Sequence, residues 1–251
     1  MAAKQTVYIS IGSNLGNRKQ NLQKAIFRVD SELGRVGAIS PIYNAPAWGF
    51  ESADFLNICI MLETGLAPQK CMEYLMEIEQ GMGRERTEGQ GYESRIIDLD
   101  IIYFENQVIR TDTLTVPHPR MEERKFVLKP LADIAPQFYH PILKKDTRNL
   151  LQQCKDKSKL TKTTGKLYPN RTALFTNLEF ITIEGNIGAG KTSLATKISK
   201  DFNAKLILER FAENPFLPSF YEDQARYAFP LEMSFLADRY QQFSDDTNQF
   251  D

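Results

Sequence analysis

The chain has 251 residues, of which 42% are hydrophobic and 25% are charged, a composition typical of globular proteins. Its formal net charge of −1 provides no overall attraction to nucleic acid or to an anionic membrane, and no run of about 18 apolar residues predicts a membrane span. No signal peptide is expected either, and Cys59, Cys71 and Cys154 lack the spacing of a disulfide framework or a zinc site. We therefore expect a cytoplasmic protein without nucleic-acid or membrane partners.

The first 104 residues alternate between strand and helix patterns. Residues 6–11 alternate apolar and other side chains, which predicts a strand, and apolar residues at helical spacing from Leu22 to Leu33 predict a helix. Strands over 36–43 and 55–63 follow, then a helix beginning at Pro68 and a fourth strand over 95–104. This βαββαβ order predicts an α+β ferredoxin-like domain.

A polar, basic stretch then separates this domain from a second pattern. We predict an N-terminal domain over 1–155, a linker over 156–177 and a further segment over 178–251. A phosphate-binding patch is the less favoured interpretation of the basic stretch.

Two carboxylates on the fourth strand are the first candidate site. Asp98 and Asp100 are two residues apart, so they project from the same face, about 6.5–7 Å apart along the strand. Like charges on an otherwise apolar strand favour a cation between them, and hard oxygen ligands favour Mg²⁺. The alternative is an edge strand whose acidic face is simply solvated.

Arginines near this pair point to phosphate. Arg84, Arg86 and Arg95 bracket a glycine-rich loop, and guanidinium groups match phosphate oxygens. His118 lies in a proline-rich basic turn further along the chain. Positioned cations beside a metal-binding carboxylate pair are what phosphoryl transfer requires, whereas a solvated, salt-bridged loop is the alternative interpretation.

Four ordered motifs carry a specific resemblance over about residues 5–155: Ile9–Gly16, Gly83–Arg86, Arg95–Ile101 and Val116–Pro119. Together they resemble the 6-hydroxymethyl-7,8-dihydropterin pyrophosphokinase family. The resemblance implies transfer of a pyrophosphoryl group from ATP to the hydroxymethyl oxygen of the pterin, with release of AMP, as an early step of folate biosynthesis.

The resemblance also implies roles for individual residues. Asp98 and Asp100 would hold two Mg²⁺ ions with ATP, Arg84 and Arg95 would contact its phosphates, and Arg86 would lie on a mobile loop. Further ATP-site positions are Glu79, Ile101, Thr115, His118 and Arg124. The pterin-site positions are Ala45, Pro46, Trp48, Phe55, Asn57 and Phe126.

The chemistry of a flat heteroaromatic ring agrees with the pterin positions. Phe55 and Phe126 can cover its two faces, and Asn57 offers both a donor and an acceptor to its edge. Without the resemblance, ordinary core packing would be the preferred interpretation of each aromatic residue. Two positions depart from the family pattern: Tyr92 stands nearest to a common Trp, and Ala45 replaces a Thr or Ser of some members.

The segment over 178–251 contains a second phosphate-binding pattern. A predicted strand over 178–184 leads into a P-loop, Gly185–Thr192, and then a helix; its key positions are Gly185, Gly188, Gly190, Lys191 and Thr192. With a second predicted strand over 206–210 ending near Glu209, the segment resembles the start of the α/β deoxynucleoside kinase family, in which Glu209 would act as the base. The segment is much shorter than that family, so we expect no kinase activity from it alone.

The sequence is compatible with three functions. The preferred one is a pterin pyrophosphokinase fused to a partial deoxynucleoside kinase. The alternatives are deoxynucleoside kinase as the main activity, and a module that only binds nucleotide or forms a homodimer through the kinase-like segment.

Overall fold

The computed structural model describes residues 4–49, 52–83, 94–186, 188–208 and 214–247. The chain divides into two compact units, Met1–Asn177 and Leu178–Asp251. None of the described helices is both long and apolar enough to cross a bilayer.

The first unit contains all the strands that the structure describes. Its strands are β1 (Gln5–Ser13), β2 (Arg35–Ile39), β3 (Tyr43–Ala45), β4 (Phe55–Thr64), β5 (Asp98–Phe104), β6 (Ile109–Arg110), β7 (Thr115–Val116) and β8 (Thr161–Lys162). Its α-helices are α1 (Arg18–Glu32), α2 (Pro68–Gly81), α3 (Lys125–Ile134), α4 (Thr147–Gln153) and α5 (Arg171–Phe175), and a 3-10 turn spans Met121–Glu123.

The main sheet is antiparallel and has the order β5-β1-β4-β3-β8, with β2 also pairing with β4. The chain order β1-α1-β2/β3-β4-α2-β5 confirms the predicted α+β organisation of an antiparallel sheet with helices. Small strands β6 and β7 form a separate hairpin.

The sheet buries a different apolar cluster on each face. Alternate residues of β1 and β4, such as Ile9 and Ile60, pack in a cluster that also contains Leu22 of α1 and Leu75 of α2. A second cluster combines Tyr8 and Cys59 with Leu128 and other residues of α3 and α4. The period-2 pattern of a strand explains this division, because successive side chains point to opposite faces.

Two predicted strands differ from the observed ones for local reasons. The predicted strand over 36–43 divides into β2 and β3 because Pro41 lies between them and offers no N–H to the ladder. The predicted strand over 95–104 begins only at Asp98, because the backbone of Arg95 bonds instead with Asn14: its N–H donates to the Asn14 side chain at 2.6 Å, and its carbonyl accepts from the Asn14 N–H at 3.1 Å.

Residues 156–177, predicted to be a linker, make extensive contacts within the first unit. Strand β8 extends the sheet beside β3, and Leu167 is buried in the same apolar cluster as Leu22. The polar composition predicted a linker because Leu167 is the one apolar residue of this segment that the described part of the core includes, whereas its other contacts are made mainly by backbone groups and by the Asp156 carboxylate. The predicted division at 155 stays a prediction about domains.

The second unit is helical where it is described, with α6 (Lys191–Phe202), α7 (Leu217–Glu222) and α8 (Gln224–Thr247). The predicted strand over 178–184 and residues 206–208 of the second predicted strand are not strands in the structure. A P-loop strand is stabilised by neighbouring parallel strands, and the described residues of this unit provide none. The predicted start of an α/β fold is therefore not directly confirmed, and the secondary structure described for this unit is helical.

Candidate functional site

The strand register brings the candidate site together at one end of the sheet. Gly12 of β1 is paired with Asn57 of β4 on one side and with Asp98 of β5 on the other. Ser10 is paired with Cys59 and with Asp100 in the same way, so the carboxylate pair lies beside β1, although β5 is the edge strand of the sheet. Apart from Cys59, which is buried in the core, these residues line an open cleft.

Asp98 and Asp100 form the polar half of the cleft. The Arg95 guanidinium donates to Asp98 at 2.7 Å. Burial, with the nearby charge of Asp98, raises the pKa of Asp100 to about 7. A divalent cation would relieve this cost, and the described residues hold no group of three His, Cys, Asp or Glu side chains that could bind one. A metal here would therefore depend on two carboxylates with water and phosphate oxygens, as Mg²⁺ does in nucleotide enzymes.

His118 and Arg124 lie next to this pair. The His118 Nε2 atom is 3.8 Å from an Asp100 carboxylate oxygen. Burial, and then the positive charge of Arg124, lower the pKa of His118 to about 4. His118 is therefore a neutral imidazole at physiological pH, able to donate one hydrogen bond and accept another.

Aromatic side chains form the apolar half of the cleft. Pro46, Trp48, Phe55 and Phe126 line it together with the buried amide of Asn57. This half combines flat apolar surfaces with one buried amide group, which suits a planar heteroaromatic ligand.

The two halves meet at Arg124, whose guanidinium lies 5.0 Å from the Trp48 ring and 5.9 Å from the Phe126 ring. Such distances are typical of cation–π contacts. Arg124 thus connects the aromatic surfaces to the carboxylate pair.

Several predicted site residues lie outside the lining of the cleft. Ala45 is buried at the end of β3, and the Ile101 side chain is packed in the core on the opposite face, so only its backbone can meet a ligand. Glu79 is buried on α2 and accepts a hydrogen bond from the Leu99 N–H at 2.8 Å, which fixes β5 between the two carboxylates. Thr115 is exposed on β7.

Three other predicted residues lie outside the described part of the chain. In the sequence, Arg84 and Arg86 stand between α2 and β5, and Glu209 stands in the second unit. Their roles remain predictions.

The structure adds to the site three residues that the sequence analysis named only as part of the motif Ile9–Gly16. Ser10 and Gly12 line the cleft, and a Cβ atom on Gly12 would lie 3.1 Å from the Asn57 Oδ1 atom. Asn14 accepts from the Arg95 N–H, and its amide donates to Ser52 at 2.8 Å and Ser94 at 3.2 Å. The sequence signals these residues only by the change from apolar to small and polar residues at the end of the predicted strand over 6–11.

The predicted P-loop of the second unit contains three glycines with positive φ angles. Gly185, Gly188 and Gly190 have positive φ angles of 156°, 78° and 81°, and α6 begins at Lys191. The Lys191 ammonium donates to the carbonyls of Gly185 and Asn186 at 2.8 and 3.0 Å. Glycines of this kind let N–H groups gather around an anion at a helix start.

A family model described as 7,8-dihydro-6-hydroxymethylpterin-pyrophosphokinase (HPPK) matches residues 8–136, just over half of the chain. The chain belongs to this family. HPPK members are ATP-dependent transferases, which confirms the predicted class of enzyme. A second model, described as deoxynucleoside kinase, matches residues 181–250 and supports the predicted fusion to a partial kinase segment.

Relatives agree with the HPPK assignment. The 2-amino-4-hydroxy-6-hydroxymethyldihydropteridine pyrophosphokinase of Aquifex aeolicus is 40% identical over 141 residues, which cover 56% of this chain and 86% of the relative. The folic acid synthesis protein FOL1 of Dictyostelium discoideum is 39% identical over 142 residues, covering 57% of this chain but only 21% of FOL1. The chain therefore spans about a fifth of one relative and most of the other.

Solved structures support the HPPK-like fold. The Plasmodium falciparum HPPK-DHPS crystal structure with pteroate matches with a TM-score of 0.52 at 14% identity, over 61% of this chain and 45% of that one. The wild-type protein with SDX-DHP matches with a TM-score of 0.51 at 14% identity, over 61% and 45%. At this identity the likeness concerns the fold alone.

Proposed function

We propose that the first unit transfers a pyrophosphoryl group from ATP to 6-hydroxymethyl-7,8-dihydropterin. The hydroxymethyl oxygen forms a bond to the β-phosphorus and releases its proton to solvent, the bond from that phosphorus to the α-phosphate oxygen breaks, and AMP leaves with that oxygen. The observation that carries the proposal is the cleft itself, where Asp98, Asp100 and Arg95 adjoin an aromatic surface with a buried amide. Neither deoxynucleoside kinase activity nor nucleotide binding by the second unit would use both halves of this cleft.

The polar half suits the nucleotide phosphates. Asp98 and Asp100 would hold the two Mg²⁺ ions, which supply charge neutralisation of the phosphate oxygens. Arg95 is fixed at its backbone by Asn14, so its guanidinium is positioned to exchange between Asp98 and a phosphate. Neutral His118 can donate to a phosphate oxygen, and Arg84 and Arg86 would add further positive charge.

The apolar half suits the pterin. Phe55 and Phe126 would cover the ring faces, and Pro46 and Trp48 would complete the wall, with the buried Ala45 behind them. Asn57 can donate to and accept from the ring edge, and Gly12 leaves the space that this amide needs. Binding in this way places the hydroxymethyl group toward the carboxylates.

The second unit supports a different proposal, nucleotide binding by its P-loop. The positive-φ glycines and the position of Lys191 at the start of α6 support it. Deoxynucleoside kinase activity with Glu209 as base belongs to a more complete domain, and a homodimer through this unit is a further expectation.

The nucleotide product distinguishes these functions. With hydroxymethyldihydropterin, ATP and Mg²⁺, we expect AMP, and with deoxynucleosides we expect no ADP, both measured by chromatography. Asp98→Ala should lower pterin-dependent AMP formation by more than about 10²-fold, since it removes a group that acts on developing phosphate charge.

Lys191→Ala provides the matched control. It should leave AMP formation unchanged, because Lys191 belongs to the other unit. Near-normal turnover by Asp98→Ala with a native circular dichroism spectrum would refute the metal assignment, and ADP formed with a deoxynucleoside would favour the kinase instead.

A further inference from the structure

Residues 156–168, which we call the strap, follow the part of the chain that the HPPK model matches, residues 8–136. The strap contacts the rest of the first unit at three places, and two of them adjoin the apolar half of the cleft. These contacts give the strap a role in shaping the site.

The first contact is at the start of α3. The Lys125 N–H, at the first position of this helix, donates to the Asp156 carboxylate at 3.1 Å, and the Lys125 ammonium donates to the Ser158 carbonyl at 3.0 Å. The residue that precedes the helix, Arg124, provides no capping side chain. Asp156 therefore acts as a helix cap from a distant part of the sequence, satisfying an N–H group and matching the positive end of the helix dipole.

Asp156 is suited to this role because it is charged at neutral pH. Burial alone would raise the pKa of this carboxyl group, but hydrogen bonds from Ser158 and Lys125 lower it below its ordinary value. The Ser158 N–H donates to the second carboxylate oxygen at 2.8 Å, so both oxygens are held.

The Asp156 cap lies next to two residues that line the cleft. Lys125 stands between Arg124 and Phe126, and both of these neighbours line the cleft. Arg124 also lies over the Trp48 ring at 5.0 Å. Fixing the Lys125 backbone therefore fixes one wall of the apolar half.

The second contact is the pairing of β8 with β3. Lys162 pairs with Tyr43, and Thr161 with Asn44. The Thr163 N–H donates to the Ile42 carbonyl at 2.9 Å. Strand β3 leads directly into the loop that carries Pro46 and Trp48, so the strap also supports this part of the cleft lining.

The third contact anchors the far end of the strap. Leu167 is buried in the core, and the Gln23 side chain of α1 exchanges two hydrogen bonds with the Tyr168 backbone, at 2.8 and 2.9 Å. Because both ends of the strap are held, it can keep β3 and the start of α3 in fixed positions.

We propose that the strap positions the pterin side of the cleft, with Asp156 as its main positioning residue. The inference rests on the proposed function, since it names the substrate whose binding the strap controls. The carboxylate pair lies on β5, at the other end of the sheet order from β3 and β8, so the phosphate side should respond much less.

Asp156→Ala tests this in the full chain. Because the uncapped start of α3 holds Arg124 and Phe126 less firmly, we expect KM for hydroxymethyldihydropterin to rise about tenfold, which corresponds to about 1.4 kcal/mol, while kcat and KM for ATP change less than about twofold. Asp156→Asn, which keeps an acceptor but loses the charge, should raise the same KM only about threefold. Lys157→Ala, at an exposed strap position, is the control and should match the wild type.

Amide hydrogen exchange gives a readout independent of turnover. Asp156→Ala should speed exchange in residues 124–128 but not in residues 5–13 of β1.

Three results would overturn the proposal. They are an equal increase in the KM values for the pterin and for ATP, an unchanged KM for the pterin, and unchanged hydrogen exchange in residues 124–128. If Asp156→Ala does not fold, the KM comparison and the exchange are read from Asp156→Asn. An inactive wild type would refute the proposed function, and exchange would then decide the role of the strap alone.

Discussion

Asp100 shows how burial and a neighbouring charge change the behaviour of one carboxyl group in this site. Its pKa rises from 3.8 to about 7, chiefly because burial disfavours the charged form and then because Asp98 lies close. Between these two pH values the folded protein keeps a proton that the unfolded chain has lost. The contribution of Asp100 to the free energy of unfolding therefore falls as pH rises from about 4 to about 7.

Asp100→Asn should remove this loss of stability. In metal-free protein we expect the melting temperature of the variant to match that of the wild type near pH 4 and to exceed it by a constant amount above pH 7. Thermal denaturation across this pH range, followed by circular dichroism, measures the difference. A difference that is independent of pH would contradict the raised pKa.

Magnesium provides the control for this prediction. At pH 7.5 added Mg²⁺ should raise the melting temperature of the wild type, because a bound cation offsets the cost of the buried charge. The same addition should have little effect on Asp100→Asn. Equal shifts in the two proteins would mean that the ion binds elsewhere.

Sequence reasoning identified the carboxylate pair but not the residues that hold it. Asp98 and Asp100 are two apart on a strand, so the period of two predicts their common face. Asn14 contacts Arg95 across 81 positions of sequence, and no local pattern reports such a contact. The raised pKa of Asp100 likewise depends on burial that only the folded chain shows.

At the level of elements, apolar periodicity was a sound guide wherever an element buries one face. It predicted β1, α1, β4 and α2 closely, because the core selects every second or every third to fourth residue. Strand β8 was not predicted, since both of its residues are exposed and it joins the sheet through backbone hydrogen bonds alone. Backbone pairing does not require particular side chains, so it produces no pattern in the sequence.

The link between α1 and the strap gives a prediction at this scale. Gln23→Ala removes both hydrogen bonds to the Tyr168 backbone, and each should contribute about 1 kcal/mol. We expect the melting temperature to fall by roughly 4–8 °C, as a loss of about 2 kcal/mol does in a protein of this size.

Gln20→Ala is the matched control, because it makes the same change on the exposed side of the same helix. Its melting temperature should stay within about 1 °C of the wild type, as is usual for surface substitutions. Equal losses in the two variants would show that helix propensity, and not the link to Tyr168, is responsible.

At the scale of the whole molecule, the two units differ in how their apolar residues are used. The first buries two clusters on the faces of one sheet, whereas the second leaves side chains such as Phe180, Tyr221 and Phe229 more than half exposed. The strands predicted for the second unit need partners in a larger sheet. The P-loop motif could be read from the sequence because its glycines act locally, but the sheet around it is a property of many distant residues.

The functional unit should extend through the strap, and two fragments with different ends test this. A fragment ending at Asn177 should form AMP at the wild-type rate within about twofold, because it retains the cleft, Asp156, β8 and Leu167. A fragment ending at Lys155, the boundary that composition predicts, loses the α3 cap and the buried Leu167 side chain. Burial of one such side chain contributes about 1.5–3 kcal/mol, and the cap adds about 1 kcal/mol. The shorter fragment should therefore melt at least about 5 °C lower and bind the pterin more weakly. Thermal denaturation and pterin titration of both fragments check this, and equal values would place the end of the unit before the strap.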